Sequence, residues 1–107
     1  MTMGFVYLLC SLDDNTFKIG VTKRKIETRI KELQTGNSEQ ISLLNFYESD
    51  NYIKVENWLH KKHRNNKANA KNEWFELDDE YIKSFIDDCK KADDTIQYLL
   101  ENNPFFD

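Results

Sequence analysis

The chain has 107 residues, 39% of them hydrophobic and 13% aromatic, with a single proline and three glycines. That length holds one domain, and so little proline and glycine excludes a long linker or a disordered chain. The net charge of −4 is unevenly spread: residues 1–71 carry 12 Lys+Arg against 8 Asp+Glu, and residues 72–107 carry 3 against 11, a basic body with an acidic tail.

Residues 4–10 (GFVYLLC) are β-branched, aromatic and aliphatic, and predict a buried strand. The apolar run Phe5–Cys10 is far too short to span a bilayer. No basic patch followed by an apolar run marks a secretory signal. Cys10 and Cys89 form no disulfide framework. The expectation is an intracellular, reducing setting away from membranes, cytoplasmic, or nuclear in a eukaryotic host. Residues 11–15 (SLDDN) read as a turn and 16–21 (TFKIGV) as a second strand, the hairpin partner of the first. Gly20 near its end predicts close backbone approach or a bulge.

Thr22 can cap a helix in which Ile26, Ile30 and Leu33 share a face, stopped at Gly36. A third strand follows at 41–48. Asp50 is expected to cap a second helix, with Tyr52, Val55 and Leu59 on one face and Glu56, His60 and His63 on a neighbouring one. Lys61–Lys71 is a polar, basic loop, and 72–77 (NEWFEL) is a short extended segment that could add a strand. Asp78 caps a third helix with Ile82, Phe85, Ile86 and Cys89 on its apolar side. A last short helix is expected over 94–101, ended by Pro104, with Phe105 and Phe106 folded back onto the body. The order predicts a small α+β domain, a three-stranded, mainly antiparallel sheet flanked by helices. Its core covers about 4–77, and an acidic helical extension occupies 78–107.

Two tripeptides, Phe5-Val6-Tyr7 and Lys18-Ile19-Gly20, sit on the first two strands, followed by Arg29 on the first helix and Glu56 on the second. Their order and spacing resemble the GIY-YIG endonuclease superfamily. KIGVTKRKIETRIKELQTGN, with VENWLH and NEWF after it, is similar to a viral and phage branch in which a lysine commonly replaces the second tyrosine. The resemblance covers roughly residues 4–77. It implies metal-dependent hydrolysis of DNA phosphodiester bonds, with these residues on one face of the sheet. Tyr7 would take a proton from the attacking water, and Lys18 would ease formation of its phenolate, since tyrosine is a poor base at a free pKa of about 10. Arg29 would fork onto the scissile phosphate. Glu56 would hold one divalent ion, Mg²⁺ or Mn²⁺. His60, one turn beyond Glu56, would touch the leaving group or the phosphate. The chain departs from the family at Phe5, where the name has glycine, and at Leu33, where many relatives place His or Tyr. Asn72 is the candidate for the family's late asparagine.

Each residue also has a plainer structural role: Tyr7 as a half-buried strand aromatic, Arg29 paired with Glu32, Glu56 as a solvated helix acid, His60 as a packing residue. Lys23, Arg24, Lys61, Lys62 and Arg64 are the cations expected to follow a nucleic-acid backbone, and a merely solvated loop fits the last three equally well. Cys10, Cys89, His60 and His63 match no established zinc spacing. Three functions are compatible with the sequence: a metal-dependent endonuclease, a catalytically weak or inactive nucleic-acid-binding domain, and an interaction or inhibitor module whose acidic C-terminal third docks on a protein partner.

Overall fold

The computed structural model describes residues 3–12, 16–66 and 74–106. In chain order these form β1 (Gly4–Ser11), β2 (Phe17–Thr22), α1 (Ile26–Thr35), β3 (Ile41–Ser49), α2 (Tyr52–Lys62), a 3-10 turn (Arg64–Asn66), β4 (Trp74–Phe75), α3 (Asp79–Lys83) and α4 (Phe85–Asn102). The strands make one antiparallel sheet in the order β3-β1-β2-β4. The fold is the expected α+β class, with four strands where three were predicted. The extra strand is the extended segment of the sequence, whose Trp74 and Phe75 pair with Lys18 and Phe17 at the edge. Asn72, Lys67 and Lys71 lie outside the described residues.

β1 is central, and both its faces are covered, which is why GFVYLLC lacks polar alternation. Val6, Leu8 and Cys10 pack with Tyr52, Val55 and Leu59 of α2 and with Phe85, Cys89, Ala92 and Ile96 of α4. Tyr7 and Leu9 point the other way, onto Ile26, Ile30 and Leu33 of α1 and Ile41. So α1 lies on one face of the sheet, and α2 with α4 on the other. Along β3, Leu43 pairs with Leu9 and Asn45 with Leu8, leaving Leu44 as the extra residue of a β-bulge.

Several expected boundaries shift for identifiable reasons. Thr22 does not cap α1. Its Oγ1 accepts the Arg24 N–H at 3.1 Å, a local turn that delays the helix to an N-cap at Lys25. Asp50 does not cap α2 either. Asn51 is the N-cap, and its side chain instead donates to Asp93 at 2.8 Å and Gln97 at 3.2 Å, tying α2 to α4. Asp78 caps α3 as expected, accepting the Tyr81 N–H at 3.1 Å. The break between the C-terminal helices falls at Ser84, and α4 then runs unbroken. Phe85, Cys89, Ala92 and Ile96 keep one face buried throughout, and no breaker occurs before Pro104. Phe106 packs against the core as expected, but Phe105 is 94% exposed. Among the described residues no helix is long and apolar enough to cross a membrane.

Candidate active site

The site is built around the Ile19–Gly20 peptide of β2. Tyr7 of β1 is the cross-strand partner of Gly20, and its ring lies directly over that glycine. A Cβ at position 20 would sit 2.5 Å from Tyr7 Cζ and would also overlap the hydroxyl. Gly20 is therefore the close backbone approach that the sequence suggested. Tyr7 is only 1% exposed. The Arg29 guanidinium of α1 lies beside its hydroxyl, and the Tyr7 oxygen is the main reason the Arg29 pKa rises above its usual 12.5.

Arg29 shares a second partner with Arg24. Arg24 forks onto Glu32 at 2.6 and 2.5 Å, and Arg29 Nη1 lies 3.5 Å from the same carboxylate. The Glu32 carboxyl is held below its usual range, chiefly by the Arg24 hydrogen bonds. Two arginines thus converge on one anionic group on α1. Lys18 is two residues from Gly20 along β2, on the same face as Tyr7, with its ammonium 5.9 Å from the Trp74 ring centroid.

Glu56 and His60 arrive from the other side. α2 packs on the opposite face, and its Glu56–His60 edge borders β2. His60 Nε2 is 2.7 Å from the Ile19 carbonyl oxygen; a carbonyl only accepts, so Nε2 carries the proton. The same nitrogen is 3.9 Å from Glu56 Oε2, and the Glu56 side chain is 13% exposed. The expected common face is therefore replaced by a site that straddles the rim of β2, where β4 pairing ends at Lys18 among the described residues. Two apolar faces of β1 require two helices, and each helix brings its polar groups to that rim from its own side.

Among the described residues no three His, Cys, Asp or Glu side chains gather into a metal cage. A single accessible carboxylate does suit Mg²⁺, which is often held by one or two carboxylates, several waters and substrate oxygens. It does not suit a closed zinc site. His63, expected beside Glu56 and His60, is instead buried between Phe75 and Tyr81 with no hydrogen-bond partner on Nδ1, and burial holds its pKa below 6.5. Cys10 and Cys89 are both buried, and burial pushes the Cys89 thiol up to about 12.

The expected nucleic-acid cations divide into two groups. Lys23 and Arg24 precede α1 on the Arg29 side. Lys61 and Lys62 line a groove of about 530 Å³ with Lys54 and Trp58, floored by Ile96 and Phe106. At 100° per residue, this groove lies on the opposite side of α2 from Glu56 and His60. Lys62 is also paired with Asp88 of α4 at 3.1 Å. Arg64 is exposed in the 3-10 turn. Sequence reasoning missed the Trp74 contact of Lys18, the Ile19 carbonyl as the anchor of His60, and Phe46 as the other neighbour of Tyr7. Alternation along 41–48 hints at the last, but the bulge at Leu44 hides the register.

The hairpin, the helix between β2 and β3, and the Tyr7–Arg29 pair over Gly20 define a small domain of GIY-YIG-like build. The chain belongs to the T5orf172 domain family, whose model matches residues 4–90. This is a phage-associated group of GIY-YIG-like, nuclease-type domains. No curated protein and no solved structure matches the chain.

Proposed function

We propose that the chain is a metal-dependent endonuclease that hydrolyses DNA phosphodiester bonds inside the cell. The observation that carries this reading is the Tyr7 ring seated over Gly20 beside Arg29, at the rim that Glu56 and His60 approach from the other face. Arg29 and Arg24 already grip one anion, Glu32, and a phosphate offers the same oxygens. The scissile phosphate would draw the Arg29 guanidinium from Glu32 onto its own oxygens. The Tyr7 oxygen, on the sheet face it shares with Lys18, would take the proton of the attacking water. The water oxygen bonds to phosphorus, and the bond to the leaving oxygen breaks. His60 hydrogen-bonds the Ile19 carbonyl and fixes the approach of Glu56. Glu56 would hold the metal, which supplies positive charge for the phosphate oxygens when bound. Lys18 adds a cation on the Tyr7 face.

Glu56→Gln tests the reading. It should abolish Mg²⁺- or Mn²⁺-stimulated nicking of plasmid DNA and leave folding and DNA binding intact, because the amide keeps the shape and loses the anionic ligand. Equal nicking by both proteins would refute it.

A further inference from the structure

The Tyr7 face carries a feature the proposed chemistry does not use. Tyr7 pairs with Gly20 on one side and with Phe46 of β3 on the other, so Gly20, Tyr7 and Phe46 form one row across the sheet. Phe46 is 46% exposed in spite of its size. It meets Phe5 edge-on, with ring centroids 5.9 Å apart and an interplanar angle of 74°. Phe5 stands where the family name has glycine. α1 covers the other end of this face, over Leu9 and Ile41; Phe5 is half-buried against that cluster, and Phe46 is left open.

We propose that Phe5 and Phe46 form a stacking platform for an unpaired base next to the scissile phosphate, so that the substrate is single-stranded or locally unpaired DNA. The proposal rests on the phosphodiesterase reading of the Tyr7–Arg29 site and names the substrate class of that site. Directly opposed residues of antiparallel strands stand about 4.5–5.5 Å apart at Cβ, so Phe46 begins one residue from the catalytic tyrosine. That is the separation between a phosphate and the base it carries. Arg29 and Arg24 mark the phosphate end of the surface. On the β3 side the neighbour of the pair is acidic: Glu48, two residues beyond Phe46, is the strand partner of Phe5. A backbone phosphate is disfavoured there, and an uncharged base is not. The faces of a base inside a duplex are already covered by its neighbours, so only an unpaired base can offer one to a phenylalanine.

The test is a binding titration in EDTA, with no turnover. A single strand carrying 2-aminopurine and the matching duplex are each titrated into the wild-type chain, Phe46→Ala and Phe46→Trp. The wild type should bind the single strand more tightly and quench its fluorescence. Phe46→Ala should lose the quenching and weaken single-strand binding about 5- to 150-fold, with duplex binding nearly unchanged, and Phe46→Trp should restore both. Thermal melts exclude misfolding of the half-exposed variant. Wild-type single-strand affinity in Phe46→Ala overturns the platform. So does a wild-type dimer in sedimentation that this substitution splits, because the patch is then an interface between copies. Stacking without cleavage by the metal-loaded chain would overturn the hydrolase reading alone. Cleavage of duplex and single strand alike, with no quenching, would overturn the platform alone.

Discussion

Gly20→Ala probes the centre of the site through stability, without any assumption about substrate. The added Cβ would meet three atoms of the Tyr7 ring, among them Cζ at 2.5 Å and Cε1 at 2.7 Å. Relief would be cheap if the ring could swing into solvent. It cannot, because Tyr7 is 1% exposed and packed with Leu9, Ile26 and Ile41. Either the ring leaves its rotamer or β2 moves away from β1, and overpacking of that kind costs about 1–3 kcal/mol. For a domain of this size the melting temperature should fall by about 5–15 °C. Gly36→Ala is the control, since its nearest neighbour would be the Glu32 carbonyl at an ordinary 3.7 Å. It should stay within about 0.5 kcal/mol of wild type.

A double-mutant cycle sharpens the test. Tyr7→Phe removes the hydroxyl oxygen, one of the three clashing atoms, and so relieves part of the overlap. The double variant should be more stable than the sum of the single losses by about 0.5 kcal/mol or more. Thermal melts of the four proteins give this number directly. If Gly20→Ala melts with wild type and Gly36→Ala, the Tyr7 ring is not seated over Gly20, and the geometry behind the site is wrong.

Three further outcomes follow from the charges. Glu32→Gln removes the anion shared by Arg24 and Arg29 and should tighten DNA binding in low salt, an effect that fades at high salt; an unchanged low-salt affinity in fluorescence anisotropy would show that the arginines do not face the backbone. Asp87→Asn with Asp88→Asn should act in the same direction, because Asp88 holds Lys62 at 3.1 Å, and equal isotherms for variant and wild type at two salt concentrations would leave the acidic helix as a solvated face or a protein-docking one. His63 is held neutral by burial, so the unfolded chain binds its proton first: its contribution is complete above pH 6.5 and is lost as the pH falls toward the lower folded value, and melts from pH 7.5 to 5 should flatten in His63→Phe relative to wild type.

Much of this fold is written in local pattern. The buried β1 run, the hairpin, the apolar face of α1 and the Asp78 cap each rest on neighbours a few residues away, and each is found. The misplaced caps have a different origin. Thr22 and Asp50 are sound N-cap residues by type, but Thr22 is satisfied by Arg24, and α2 starts from Asn51, which long-range bonds to Asp93 and Gln97 hold in place. The site is legible only in part for the same reason. Tyr7 over Gly20 follows from the register of two strands adjacent in sequence. That Glu56 comes from the opposite face depends on which helix covers which side of β1, and no local spacing encodes that. Phe46 was hidden by one bulged residue.

The charge pattern also has a structural sense. A chain with net charge −4 is a poor candidate for a polyanion partner if its charges are simply counted. In the fold, acids sit on the cations that matter: Glu32 on Arg24 and Arg29, Asp88 on Lys62. The exposed Glu32 pairs contribute about 0–1 kcal/mol each, so separating one demands little. On the proposed reading, a phosphate reaching Arg29 would displace a carboxylate of the protein itself. On the same reading, the acidic third of the chain would not weaken a backbone contact once such pairs have exchanged.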